Sequence, residues 1–375
     1  MVTNHEIKTV CLVSREYPEE TDFGGISTYM KYLSVGLTKN NIHVIVIARS
    51  YLSNSYNNEN NIEIYRICDN NENKYREKVA DLIYRLSREI KIDIIESPEW
   101  GADLYVYFKK HHKSLKIPVV IKLHTPYFIW KKYNYCNITN ENIEDMERHV
   151  VLSADGVFSC SNALARIVAK EYKMQLNDIN VIPNMISNDE PNDFIDFEKN
   201  SICYIGSIEQ RKGVFILAEA FKIVKEKIPS AKLIFVGRDT ERNDKKTSSI
   251  NIIKDILHGT NDVNFVEHVS NIKIKNYMEK ANLLICPSLF ENFPYVVLEG
   301  MKYGCAIIGS ENGGMNEIIQ KGVSGELYTP PNAIQLAEII CDLLLNENKV
   351  LKYKTNAQKR IKDFSIEKIT IHQLK

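Results

Sequence analysis

Short apolar runs alternate with longer amphipathic stretches along the whole chain. Thr9–Ser14, Ile42–Ala48, Ile62–Ile67, Ile92–Ile95 and Ile117–Leu123 are mostly continuous rather than alternating, as strands buried on both faces should be. Helical periodicity fills several of the intervals, at Ile26–Lys39, Asn73–Ile90 and Ala102–His112. Gly156–Cys160, a helix over Ala163–Tyr172 and a strand over Ile179–Ile182 finish the series. Strand–helix–strand repetition predicts a parallel, doubly wound sheet. The Asn- and Ser-rich stretch Tyr51–Asn61 reads as an exposed loop.

The texture changes at Pro183–Asn192, a proline-bounded run of turn formers and the best linker candidate. A second series follows. Strands are predicted at Ser201–Ile205, Ala231–Val236, Val263–Val266, Leu283–Cys286 and Ala306–Gly309. Helices are predicted at Val214–Lys227, Ile272–Lys280, Tyr295–Tyr303 and Ile334–Leu345. The fold class is therefore α/β, with two Rossmann-like doubly wound domains of similar size. The expected division is 1–188, 189–363 and a tail over 364–375. Ligands of such sheets bind beyond the carboxyl ends of the strands, and two domains of this kind are expected to bring those ends around a central cleft.

Composition narrows the classes. The chain has 375 residues, 44% hydrophobic and 26% charged, which excludes disorder and collagen-like repeats. Its 48 basic and 48 acidic residues cancel, which argues against nucleic acid as a partner. Eight scattered cysteines without a CxxC pair read as free thiols of a reducing compartment. No run approaches the roughly 18 apolar residues of a membrane span, and Met1–Lys8 lacks a signal peptide's apolar core. A cytoplasmic location is expected.

Four constellations stand at strand ends. Gly24-Gly25 opens the first helix, where backbone can approach an anion, or where the turn is merely flexible. His124 ends a buried parallel strand and faces the expected cleft, although a lone histidine is more often structural. Arg211 and Lys212 sit immediately before a helix, as a diphosphate clamp or as a solvated pair. The fourth is Glu291 in the loop after a strand, then Pro294 suited to a helix's first turn, then Glu299 within that helix. An inward Glu299 suits a ribose diol; the plain alternatives are a helix-dipole partner at Glu291 and a surface charge at Glu299.

The ordered series "PSLFENFPYVVLEGMKYGCAIIGSENGGMNEII" carries glutamates at the E-x7-E spacing, and "FGGIS", "ADGVFSCS" and "VIPN" precede it. Over nearly its whole length the chain resembles the retaining glycosyltransferases of family 4, which have the GT-B fold. The resemblance implies that Glu291 sits by the donor sugar and Glu299 binds the nucleotide ribose. Arg211 or Lys212, with Lys212 the better match, would neutralise the leaving diphosphate, which Gly25 and Tyr295 also approach. Gly24, Asn292 and Phe293 would form the donor-sugar loop, and His124 would line the sugar or acceptor pocket. The tail from Phe364 looks like the helix that crosses back to the N-terminal domain. Two positions depart from the pattern: Ser207 stands where the family usually has arginine, and Pro294 replaces a frequent glycine.

The implied reaction moves a sugar, with retention, from a nucleotide-diphosphate sugar to a hydroxyl acceptor. UDP-sugars are the expected donors, and sugars or lipid-linked glycans are among the expected acceptors. No D-x-D triplet occurs, so no metal and no cofactor are expected. Rival readings are a sugar-nucleotide 2-epimerase and a non-catalytic partner subunit. Two patches, Phe108–Lys116 and Trp130–Tyr135, mix cations with aromatics. They read as ordinary solvated helix ends or as a peripheral membrane contact.

Overall fold

The computed structural model describes residues 7–20, 24–134, 141–187, 197–267 and 271–374. Phe23, Tyr135 and the linker from Asn188 onward lie outside them. The chain clusters into two compact units. The described residues of Met1–Phe128, Asn140–Ser187 and Ser365–Lys375 form the first, and those of Ile129–Thr139 and Asn188–Phe364 form the second.

The first unit holds β1 (Thr9–Ser14), β2 (His43–Ser50), β3 (Ser55–Glu59), β4 (Ile62–Cys68), β5 (Ile94–Pro98), β6 (Val119–Leu123), β7 (Gly156–Ser159) and β8 (Ile179–Val181). Their order is β3-β4-β2-β1-β5-β6-β7-β8. All neighbours are parallel except β3 and β4. β1 and β6 are buried along their full length, which explains their continuous apolar sequences.

The stretch expected as an exposed loop corrects that expectation, since Ser55–Glu59 is a strand, though an exposed one. Asn60 and Asn61 both take left-handed backbone (φ 52° and 65°), joining Glu59 to Ile62 through a two-residue hairpin. The Tyr56 ring lies across from the Tyr65 ring at 4.8 Å, tilted by 49°. The helix expected over Ala102–His112 is also shorter: Ala102 sits at φ 49°, and helices form at Tyr105–Lys110 and His112–Leu115.

Helix Ile366–Gln373 completes the first unit against helix Gly25–Lys39. Side chains of the terminal helix pack onto Gly36, where a Cβ would lie 2.1 Å from Thr370 Oγ1. Ile366 N–H donates to the Ile186 carbonyl at 3.1 Å, and Gln373 Nε2 reaches Glu96 at 2.6 Å.

The second unit holds β9 (Ser201–Ile205), β10 (Lys232–Val236), β11 (Val263–Val266), β12 (Leu283–Cys286), β13 (Ala306–Ser310) and β14 (Glu326–Tyr328), all parallel, in the order β11-β10-β9-β12-β13-β14. Its core packs β9, β10, β12 and β13 against helices Val214–Lys227 and Ala333–Leu345. Helix Glu347–Arg360 was not evident in the sequence. It is polar overall and buries only Val350, Tyr353, Lys354 and Ala357, a stripe at helical spacing. Among the described residues, no helix is long and apolar enough to cross a membrane.

Candidate active site

In the second unit the loop after β9 turns through Gln210–Lys212 and enters helix Val214–Lys227 at Gly213 (φ 70°). The loop after β12 runs beside it. A Cβ at Gly213 would lie 2.0 Å from the Pro287 carbonyl oxygen, and Leu289 N–H donates to the Arg211 carbonyl at 2.8 Å. Only glycine permits both the left-handed backbone and this approach.

This packing joins charges that lie 79 and 80 residues apart in sequence. Glu291, 8% exposed, accepts from Lys212 Nζ and from Arg211 Nη1 at 3.2 Å. Burial pushes its carboxyl up, but Lys212 and Arg211 outweigh burial and hold it below the usual range. Its backbone is fixed as well: Gly314 N–H donates to the Glu291 carbonyl at 2.8 Å. Gly313 (φ 92°) lies so close that a Cβ there would stand 1.9 Å from that oxygen.

Arg211 is held from the other side by Glu209, which is 1% exposed, at 3.0 Å. Glu209 also takes Arg242 Nη1 at 3.2 Å, and Arg242 lies 5.5 Å over the Trp130 ring. Tyr133 stacks on Phe290 at 5.1 Å and 11°. The Trp130 and Tyr133 rings, read as a solvated or lipid-facing patch, are therefore engaged by residues of the second unit.

Asn292, Phe293 and Tyr295 are buried beyond Glu291, with the Phe293 ring edge-to-face with Phe364 at 5.4 Å. Pro294 caps helix Tyr295–Lys302 and so precedes its first turn, one position before the expectation. Glu299 lies on that helix and is half-buried. Ser207 supplies no cation, and its carbonyl accepts from Tyr204 Oη at 2.7 Å.

In the first unit, Gly24 caps helix Gly25–Lys39, with open space where its Cβ would be. His124 follows β6 and is 7% exposed. Burial, then Lys122, lowers its pKa to about 3, so the ring is neutral at physiological pH. The Tyr29 ring meets it edge-on at 5.0 Å, and Tyr29 Oη donates to Glu96 at 2.6 Å.

Two buried acids that the sequence reading passed over hold this loop by its backbone. His124 N–H donates to both Glu99 oxygens at 2.9 Å, and Tyr127 N–H donates to Glu147 at 2.7 Å. Glu99 was visible only as an acid just beyond a predicted strand. Glu147 carried no signal at all. Glu209 stands two positions before Arg211, with no feature in the sequence that gave it a role.

Residues 186–360 match the family model described as glycosyl transferases group 1, and residues 23–190 match the model described as glycosyltransferase family 4. An uncharacterized glycosyltransferase of Methanocaldococcus jannaschii is 23% identical over 374 residues, covering 94% of this chain and 92% of that one. Sucrose-phosphate synthase from Thermosynechococcus elongatus superposes with a TM-score of 0.82 at 18% identity, covering 98% of this chain and 97% of that one. Anabaena HepE in complex with UDP and glucose superposes at 0.71 and 16% identity, over 97% and 98%.

Proposed function

The chain is a glycosyltransferase of the family 4 type with the GT-B fold, acting on nucleotide sugars, and from that premise we propose that it transfers sugar from a UDP-sugar, with retention and without a metal. The observation that carries the reading is the convergence of Lys212 and Arg211 on the buried Glu291 carboxylate. Two cations held beyond the strand ends suit a diphosphate whose charge grows as the glycosyl C–O bond breaks. With no D-x-D triplet in the chain, these side chains take the place of a bridging metal. The binding of UDP and glucose by HepE, a neighbour in fold, supports the donor class.

The bond from the anomeric carbon to phosphate breaks, and the electron pair leaves with UDP. The acceptor oxygen bonds to the same carbon on the same face, and its proton passes to the departing phosphate. Glu291, ionised by its two cations, stabilises the sugar's developing positive charge. Glu299 binds the ribose diol. His124, neutral, orients sugar or acceptor by hydrogen bonding and supplies no charge. Tyr295, Asn292 and Phe293 shape the donor's surroundings in the second unit.

Lys212→Ala tests the clamp. Turnover is expected to fall about a hundredfold, with circular dichroism unchanged. Near-normal turnover in a folded variant refutes it.

A further inference from the structure

The strand order of the first unit reverses between β1 and β5, and the crevice beyond such a reversal is where doubly wound sheets take ligands. Three guanidinium groups gather on the β1 side of this reversal. Arg15 follows β1, Arg49 lies in β2, and Arg76 stands on helix Glu72–Glu89. All three converge on one carboxylate: Glu72 receives Arg15 Nη2 at 3.2 Å, Arg49 Nη1 at 2.5 Å and Arg76 Nη2 at 3.7 Å. Arg15 and Arg76 also share the Gly101 carbonyl, at 2.9 and 2.8 Å. Asp103 holds Arg15 at 2.6 Å, so three cations face two carboxylates.

The seat is built rather than incidental. Gly101 takes φ 77°, and a Cβ there would lie 2.1 Å from Arg15 Cζ. Arg49 is 3% exposed and lies between the Tyr51 and Tyr75 rings, at 5.2 and 4.8 Å. Its Nε and the Tyr75 hydroxyl are buried without a hydrogen-bond partner among the described residues. The Glu72 side chain, by contrast, is 49% exposed. An exposed carboxylate gripping buried cations has the charge and oxygen geometry of an external oxyanion.

We propose that Arg15, Arg49 and Arg76 form an anion site, which Glu72 fills in the free chain and yields to the phosphate or carboxylate group of a ligand. A dianionic phosphate in place of Glu72 would bring three cations and three negative charges, counting Asp103, into balance. The group belongs either to the acceptor itself or to a free anion. The site's existence does not depend on the transfer chemistry proposed above.

Calorimetric titration of the full chain tests this, with inorganic phosphate as the probe and glucose 6-phosphate and glucose beside it. Glu72→Gln is expected to tighten phosphate binding about tenfold by removing the competing carboxylate. Glu77→Gln, an exposed acid on the same helix, is expected to change it less than twofold, and Arg49→Met is expected to abolish it. If Arg49→Met does not fold, Glu72→Gln decides alone. Binding of glucose 6-phosphate much tighter than phosphate or glucose assigns the group to an acceptor; equal binding of the two phosphates assigns it to a free anion. No phosphate binding, no change in Glu72→Gln, or an equal change in Glu77→Gln overturns the site. A change seen only in Lys212→Ala places the phosphate at the donor clamp and overturns it too.

Discussion

Glu291 owes its ionised state to two neighbours and its position to a third residue with no side chain. Gly313 lets the Glu291 carbonyl approach within a distance that any Cβ would occupy, at a φ of 92°. Gly313→Ala is expected to cost about 2–4 kcal/mol in urea unfolding, from backbone strain and overlap together. It should also impair transfer, because Glu291 moves with its backbone. A variant as stable as the parent removes this account. Glu299 lies half-buried on helix Tyr295–Lys302. Glu299→Ala is expected to raise the donor KM with little change in kcat, and calorimetry should show weakened nucleotide binding. Unchanged nucleotide affinity would rule out the ribose role.

Elements place these residues, and they differ in how plainly the sequence announces them. Strands buried on both faces have continuous apolar sequences, so β1, β9 and β12 stood where the pattern put them. The exposed hairpin strand Ser55–Glu59 has no buried face to leave a pattern, and its one signal was the Asn60-Asn61 turn. Likewise, Lys212 and Glu291 were legible as separate candidates. Their contact was not, because it depends on how two loops pack.

The hidden pair Glu99 and Glu147 has a consequence for pH. Burial, then Glu147, raises Glu99 to about 8, and burial raises Glu147 to about 7. Facing them are Arg15, Tyr172 and Glu144, together with the backbone N–H groups of His124, Thr125, Tyr127 and Gly101. The folded chain therefore keeps protons that the unfolded chain releases above about pH 4.5. Stability from this pair is complete below that pH and is lost as pH rises toward 8, at up to roughly 1.4 kcal/mol per unit for each proton. The Tm should decline between pH 5.5 and 8.5, and Glu99→Gln, which keeps an acceptor for His124 N–H, should flatten that decline. An identical slope in the variant would show that Glu99 is not the group responsible.

At the scale of the molecule, zero net charge conceals a local order in which cations are gathered at strand ends and each gathering is met by carboxylates. A donor that engages the second unit should stabilise the folded chain by mass action, about 2.7 kcal/mol at a hundredfold excess over its Kd. A thermal-shift panel of nucleotide sugars should single out one, and a UDP-sugar is expected. A stronger response to another base would overturn the uridine assignment. The helix Ile366–Gln373, seated on Gly36 in the first unit, follows the whole of the second unit in the chain. On the ribosome the first unit is therefore begun first and completed last. Until that helix emerges, its place beside Gly36 stays uncovered while the second unit forms.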